Sequence, residues 1–232
     1  MTDHFKDIYA NQSQAYNAMV SREDYEGNLL PALDGIRPLV DADVVEFGAG
    51  TGRVTRLLAP HVRHIHAFDA EPAMLAVARE TLIPLGDNWA LDVADNAHLP
   101  VEDDSADVAI EGWSFGHAPT WHGANWHAVI DSYLAEMARV LRTGGTAVLI
   151  ETMGTGHETP APPAPHLEEL FAYFEGPHGF QYRWIRTDYE FESVEEAERL
   201  TRFFFGDELA DRIVAEQMTI LLECTGIWWR RY

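Results

Sequence analysis

The stretch VVEFGAGTGRV, residues Val44 to Val54, decides how the rest of the chain is read. An apolar run carrying one acid, Glu46, ends in three glycines at alternate positions, Gly48, Gly50 and Gly52. Arg53 to Leu58 then takes up helical spacing. A strand ending in closely spaced glycines can turn sharply and let a ligand approach its backbone without meeting a Cβ. The helix that follows points its first N–H groups at such a ligand. The dinucleotide fingerprint is G-x-G-x-x-G. Gly48 and Gly50 fill its first two positions, but the third falls on Arg53, which counts against a nicotinamide dinucleotide. A tight structural turn without a ligand stays open at this point.

The alternation continues downstream. HIHAFD (His64–Asp69) reads as a strand and EPAMLAVARE (Glu71–Glu80) as a helix, with Pro72 in the first turn, where its missing N–H costs nothing. WALDV (Trp89–Val93) and ADVAIE (Ala106–Glu111) read as a third and a fourth strand. Val129, Tyr133, Met137, Val140 and Leu141 share one helical face; Gly144-Gly145 stops that helix, and TAVLIE (Thr146–Glu151) is a fifth strand. Strands that alternate with helices and are apolar on both faces form a parallel sheet covered by helices. Residues 1–35 read as helical, with Ser21 and Asp24 spaced as a capping box for a helix carrying Leu29, Leu30 and Leu33. After Glu151, MGTGHETPAPPAPH is a Pro- and Gly-rich crossing. YRWIRTDYEF (Tyr182–Phe191) and TILLECTGIWW (Thr219–Trp229) read as late strands extending the same sheet, and Ser193 with Glu196 caps a helix between them.

With 232 residues, 47% of them hydrophobic, the chain can bury one substantial core but hardly two. Thirty-eight acids against sixteen Lys and Arg leave a net charge of −22, and no basic stretch exceeds Arg230-Arg231. Such a field repels nucleic acid and anionic membrane surfaces, leaving small neutral or cationic ligands open. No apolar run approaches the roughly 18–20 residues that span a bilayer. MTDHFKDIYANQ has no basic segment followed by an apolar one, so it does not read as a secretory signal. The single cysteine, Cys224, lies among apolar residues and reads as a buried, inert thiol in a reducing compartment. The expectation is a cytoplasmic protein with no nucleic-acid or membrane partner; the sequence specifies no oligomeric state.

Asp69 closes the second strand about 20 residues beyond the glycines, where an acid can accept hydrogen bonds from both ribose hydroxyls. Capping the Glu71–Thr81 helix is its other role, and the two are compatible. Nicotinamide dinucleotides and S-adenosylmethionine (SAM) share such an acid.

Here the chain resembles the class I SAM-dependent methyltransferases of the small-molecule type, especially those of quinone biosynthesis. VVEFGAGTGRVTRLLA resembles their first motif, with Glu46 in its acidic place ahead of Gly48, Ala49 and Gly50. HAFDAEPAML resembles the second, with Asp69 and Ala70. LDVADNAHLPVEDDSADVAIEGWSFGH resembles their third and fourth strands with the linking loop, although Ala94 replaces a common glycine. YLAEMARVLRTGGTAVLIE resembles the helix, Gly-Gly turn and fifth strand. The resemblance implies one α/β Rossmann-like domain with a mostly parallel seven-stranded sheet, an antiparallel last strand, helices on both faces and an N-terminal helical lid. It divides the chain into a lid (1–35), a SAM-binding core (36–152) and an acceptor-pocket insertion with C-terminal strands (153–232). It also implies Asp69 at the ribose, Asp95 and Asn96 at the adenine, and Glu111 and Trp113 beside the methyl-bearing sulfur. Tyr16 of the lid would cover the methionine end of the cofactor, with Arg22 near its carboxylate.

The implied reaction moves a methyl group to a small-molecule acceptor by in-line displacement, releasing S-adenosyl-L-homocysteine. Positioning and exclusion of water do most of that work. A hydroxyl or protonated amine acceptor needs a base. GWSFGHAPTWHGANWH supplies His117, His122 and His127 at the carboxyl edge of the sheet, and His117 is the first choice. Trp113, Phe115, Trp121, His122 and Tyr182 are the expected acceptor-pocket residues. No acid or cysteine flanks the histidines to complete a zinc set, so no metal is expected. A nicotinamide-dependent oxidoreductase and a non-catalytic SAM-binding regulatory protein stay open as alternatives.

Overall fold

The computed structural model describes residues 4–232. The chain opens with three short helices, α1 (His4–Asn11), α2 (Ser13–Val20) and α3 (Leu29–Ile36). Then comes the expected alternation: β1 (Asp43–Phe47), α4 (Arg53–Leu58), β2 (His64–Asp69), α5 (Pro72–Leu82), β3 (Trp89–Val93) and β4 (Ala106–Gly112). The short α6 (Ala118–His122) and the long α7 (Trp126–Val140) lead into β5 (Leu141–Thr155). The last third holds α8 (Pro165–Glu175), β6 (Gln181–Arg186), β7 (Tyr189–Glu190), α9 (Val194–Phe204), α10 (Asp207–Glu216), β8 (Ile220–Leu221) and β9 (Glu223–Arg231).

One seven-stranded sheet runs β3-β2-β1-β4-β5-β9-β6. The pairs β1–β2, β2–β3, β1–β4 and β4–β5 are parallel, whereas β9 lies antiparallel to both β5 and β6. Successive residues of the central strands point to opposite faces, and both faces are dry. Val108, Ile110, Val148 and Ile150 pack with α3 and α4, while Ala109, Ala147 and Leu149 pack with α7, α8 and Trp228. Double-sided burial is the reason these strands read as unbroken apolar runs. Among the described residues no helix is long and apolar enough to cross a membrane.

Several local expectations shift. The helix before β5 ends at Val140, and the strand pairs at Leu141 before Gly144 and Gly145 interrupt it, so the two glycines sit inside a register shift instead of ending a helix. The division expected at residue 152 falls within β5, and Met153, Leu167 and Leu170 share one core with Phe47 and Phe68. The capping box does not form. Ser21 closes α2, its hydroxyl donating to the Ala18 carbonyl at 3.1 Å, and α3 starts only at Leu29. Asp24 caps that helix from a distance, accepting from the N–H groups of Asn28 (2.8 Å) and Leu29 (3.1 Å). Ser193 does cap α9, accepting from the Glu196 N–H at 3.2 Å. YRWIRTDYEF and TILLECTGIWW each break in two. Their inner parts, β7 and β8, pair with each other in a separate two-stranded sheet.

That small sheet belongs to a cap built from both ends of the chain. Met19 of α2, Tyr189, Phe191, Leu200, Ile213 and Leu221 form one buried cluster. The stretch linking α2 to α3 is stitched on by the Glu23–Tyr189 bridge and by the Asp24 N–H donating to the Thr187 carbonyl at 3.2 Å. The covering layer expected from residues 1–35 is thus shared with residues 189–221.

Candidate functional site

The glycine loop takes its shape from two different constraints. Gly48 and Gly50 both have left-handed backbones, φ 65° and 56°. A Cβ on Gly48 would stand 2.1 Å from the Ser114 hydroxyl oxygen, so this glycine lets β1 lie against the turn after β4. A Cβ on Gly50 would meet nothing nearer than the Met74 methyl at 3.4 Å, because this residue faces a cavity. The Gly50 N–H donates to Asp69 Oδ2 at 2.7 Å, and the Glu71 N–H donates to Oδ1 at 2.8 Å. Asp69 is therefore held rigidly at the tip of β2 with lone pairs left over. Burial raises its pKa, against the lowering effect of the two N–H donors. The cap of α5 itself is Glu71, which accepts from the Ala73 N–H.

The cavity has a volume of about 590 Å³. It brings together Glu46, Gly48, Ala49, Gly50, Asp69, Ala70, Asp95 and Asn96 from three separate stretches of chain, and α1 and α2 roof it with Tyr9 and Tyr16. Glu46 is buried and accepts from the Thr55 hydroxyl at 2.6 Å; burial pushes its pKa up to about 8. Asp95 Oδ1 accepts from the Ala97 N–H at 2.8 Å, forming a turn, and the residue lines the cavity. Trp113, His117, Trp121 and His122 line the same space. His117 stacks on Trp121 with ring centroids 4.4 Å apart, and its Nε2 lies 2.8 Å from the Tyr9 hydroxyl oxygen. His127 turns away, stacking on Trp126.

Four expected site residues lie elsewhere. The Glu111 carboxylate is buried beneath the turn, accepting from Ser114 (3.0 Å), Phe115 (3.3 Å) and Ile150 (3.1 Å) N–H groups. It shapes the wall without lining it. Phe115 is fully buried between Phe47 and Tyr133, because the chain curls inward immediately after Trp113. Tyr182 stacks on Trp228 near the β6 edge. Arg22 pairs with Glu192 and Glu196 at 2.7 and 2.6 Å, tying α2 to α9.

A second cavity of about 980 Å³ adjoins the first. Tyr9, Tyr16, Arg53, Trp113 and His117 line both, so these five side chains form the partition. Arg53 is its centre. Its guanidinium lies 3.3 Å from the Trp113 ring centroid and forms a buried ion pair with Glu23. Losing one partner of such a pair costs about 3–5 kcal/mol, since the other charge is left buried alone. Trp113 itself has φ 56°, a backbone strain of the kind that clusters at functional sites. Sequence reasoning weighed Arg53 only as a missing glycine and passed over Glu23, Glu151 and Glu223. Their signal is weak in one dimension, for Glu151 and Glu223 are single charges within apolar runs and Glu23 is one of three consecutive charged residues, Arg22 to Asp24.

Comparison with known proteins agrees with this geometry. Residues 44–145 match a family model described as a methyltransferase domain. An uncharacterised methyltransferase of Mycobacterium tuberculosis strain H37Rv is 32% identical over 119 residues, 51% of this chain and 43% of that protein. The chain thus spans less than half the length of that relative. Among solved structures, phosphoethanolamine N-methyltransferase 2 of Haemonchus contortus, in complex with phosphomonomethylethanolamine and S-adenosylhomocysteine, aligns with a TM-score of 0.63 at 16% identity. That alignment covers 100% of this chain and 61% of that one. The YcgJ protein of Bacillus subtilis aligns with a TM-score of 0.54 at 16% identity, over 88% of this chain and 98% of its own. At these identities the structural matches speak for the fold. Residues 44–145 are similar to a methyltransferase domain.

Proposed function

We propose that the protein transfers a methyl group from SAM, bound in the smaller cavity, to a small organic acceptor bound in the larger one. The observation that carries this reading is the shared partition: two adjoining cavities meet at Tyr9, Tyr16, Arg53, Trp113 and His117. The donor set of the smaller cavity suits a nucleoside. Asp69 would accept from the ribose hydroxyls, Asp95 and Asn96 would hold the adenine, and the open backbone at Gly50 would face the chain linking ribose to sulfur. SAM, when bound, supplies an electrophilic methyl on a positively charged sulfur.

The protein's own contribution is position and dielectric. The aromatic faces of Tyr9, Tyr16 and Trp113 would sit at the reacting end and exclude water, which strengthens every dipole around it. Burial pushes the Tyr16 pKa up to about 12, so this residue stays a neutral phenol. His117 is the base we assign for acceptors that must lose a proton, with Tyr9 holding its ring. The phosphoethanolamine N-methyltransferase among the similar structures and the quinone-biosynthesis resemblance supply amine and hydroxylated aromatic acceptors to try.

Calorimetry with S-adenosylhomocysteine and NADH tests the donor, and S-adenosylhomocysteine is expected to bind the tighter. Incubation with methyl-labelled SAM and an extract of small molecules, read by mass spectrometry, tests transfer. Tight S-adenosylhomocysteine binding with no labelled product from any acceptor would favour the non-catalytic alternative.

A further inference from the structure

The larger cavity has a carboxylate-rich inner end and an apolar body. Glu223 opens β9 and is 2% exposed; its Oε1 accepts from the Thr152 hydroxyl at 2.7 Å. Among the described residues its Oε2, buried in the cavity wall, accepts no hydrogen bond, although the Thr155 hydroxyl faces the same carboxyl group. Glu151, 3% exposed, also lines the cavity and accepts from the Gly116 N–H at 2.5 Å. Both carboxyls sit by the partition, for Arg53 acts electrostatically on Glu223 and Glu151 acts on Tyr16. The third acid there, Glu23, already holds the Arg53 guanidinium. Among the described residues Glu223 and Glu151 form no ion pair. The other arginine of the cavity, Arg212, is committed to Glu216 and to the Gly156 carbonyl. Away from this end the walls include Val20, Leu167, Phe204, Phe205 and Leu209, together with His157, His166 and Glu208.

We infer that the larger cavity recognises an amine whose nitrogen is received by the Glu223 carboxylate, with Glu151 a further acid of the same cavity, and whose apolar body packs against Phe204 and Phe205. This rests on the methyl-transfer reading and names its acceptor class. A buried acceptor atom without a donor is costly, and an ammonium or amine N–H is the partner that both satisfies Glu223 Oε2 and balances the surplus of buried acid. Burial raises the pKa of both carboxyls. The volume of about 980 Å³ is at the upper end for drug-sized ligands, which fits a bulky amphipathic amine better than a compact polar one.

The test uses the full chain saturated with S-adenosylhomocysteine, titrated with ligands that share one body and differ in one group. Tryptamine, tryptophol and indole-3-acetic acid form the aromatic set; dodecylamine, dodecanol and dodecanoic acid form the aliphatic set. The amine is expected to bind roughly tenfold or more tighter than its alcohol, the scale of a charge-assisted hydrogen bond, with the acid weakest. Glu223→Gln, which keeps the shape, should erase that preference while leaving S-adenosylhomocysteine affinity unchanged; Glu151→Gln should reduce it. Equal or tighter binding of the alcohols or acids, or no binding by any amine, overturns the inference. So does a preference that survives Glu223→Gln. The wild-type ligand order stands without any variant. If S-adenosylhomocysteine itself does not bind, the donor reading fails, and the amine series on the protein alone still decides this one.

Discussion

Asp69 is held by N–H donors from Gly50 and Glu71, which fixes where its remaining lone pairs point. A pre-oriented charged acceptor loses little entropy on binding, so its removal should be felt in full. Asp69→Ala is expected to weaken S-adenosylhomocysteine binding by about 1.5–3 kcal/mol, roughly 10- to 150-fold, as measured by calorimetry. Unchanged affinity in a folded variant would remove Asp69 from the site. His117 acts at a different step. His117→Ala should lower turnover of acceptors that lose a proton while leaving cofactor affinity close to wild type, and single-turnover kinetics separate the two. Arg53 contributes to both cavities and to stability. Arg53→Ala leaves Glu23 buried without its cation, so a loss of about 3–5 kcal/mol is expected in chemical denaturation.

At the scale of the element, the loop between β1 and α4 contains two kinds of glycine. Gly48→Ala adds left-handed strain of about 1–2 kcal/mol and drives its Cβ into Ser114, 2.1 Å away. Gly50→Ala adds the same strain with only the flexible Met74 side chain nearby. Thermal denaturation should therefore show Gly48→Ala as clearly the less stable of the two. Gly50→Ala should instead show its larger effect in cofactor affinity, because its methyl enters the cavity. A reversed order would mean that the loop does not face the ligand in this way. The loop was legible in the sequence because strand, glycine spacing and helix start are all local. The start of α3 was not, since Asp24 caps it from four residues away, through a bend held by contacts with Thr187 and Asp188.

For the whole molecule, charge and burial act together. Burial pushes Glu46, Glu111 and Glu223 up to about 8, against 4.5 for an ordinary glutamate. The folded state thus holds these protons more tightly than the unfolded chain does. Their linkage makes stability fall as pH climbs from about 4.5 to about 8 and level off above. The −22 net charge adds self-repulsion that weakens over the same acidification. Asp43 and Glu136, held below the usual carboxylate range by arginines, act in the opposite sense only once pH falls to about 4. The melting temperature should therefore be higher at about pH 6 than at about pH 8.5, and raised salt should lift the alkaline value by screening. Calorimetric scans check this, and Glu46→Gln should flatten the slope. A melting temperature that rises with pH across this range would contradict the assignment.

The sequence by itself determined the alternating strands and helices, the glycine turn, the acid at the end of β2 and the position of the histidine-bearing segment. Each of these is written in neighbouring residues through period, spacing and turn chemistry. The tertiary structure alone decided that Arg22 joins helices at the surface, that Phe115 and Tyr182 pack into the core, and that Glu111 braces a turn. It alone brought Arg53, Glu23, Glu151 and Glu223 around one partition, from four stretches of chain. Whether a side chain faces a cavity or a neighbour depends on how distant elements pack, and no spacing within one segment carries that information.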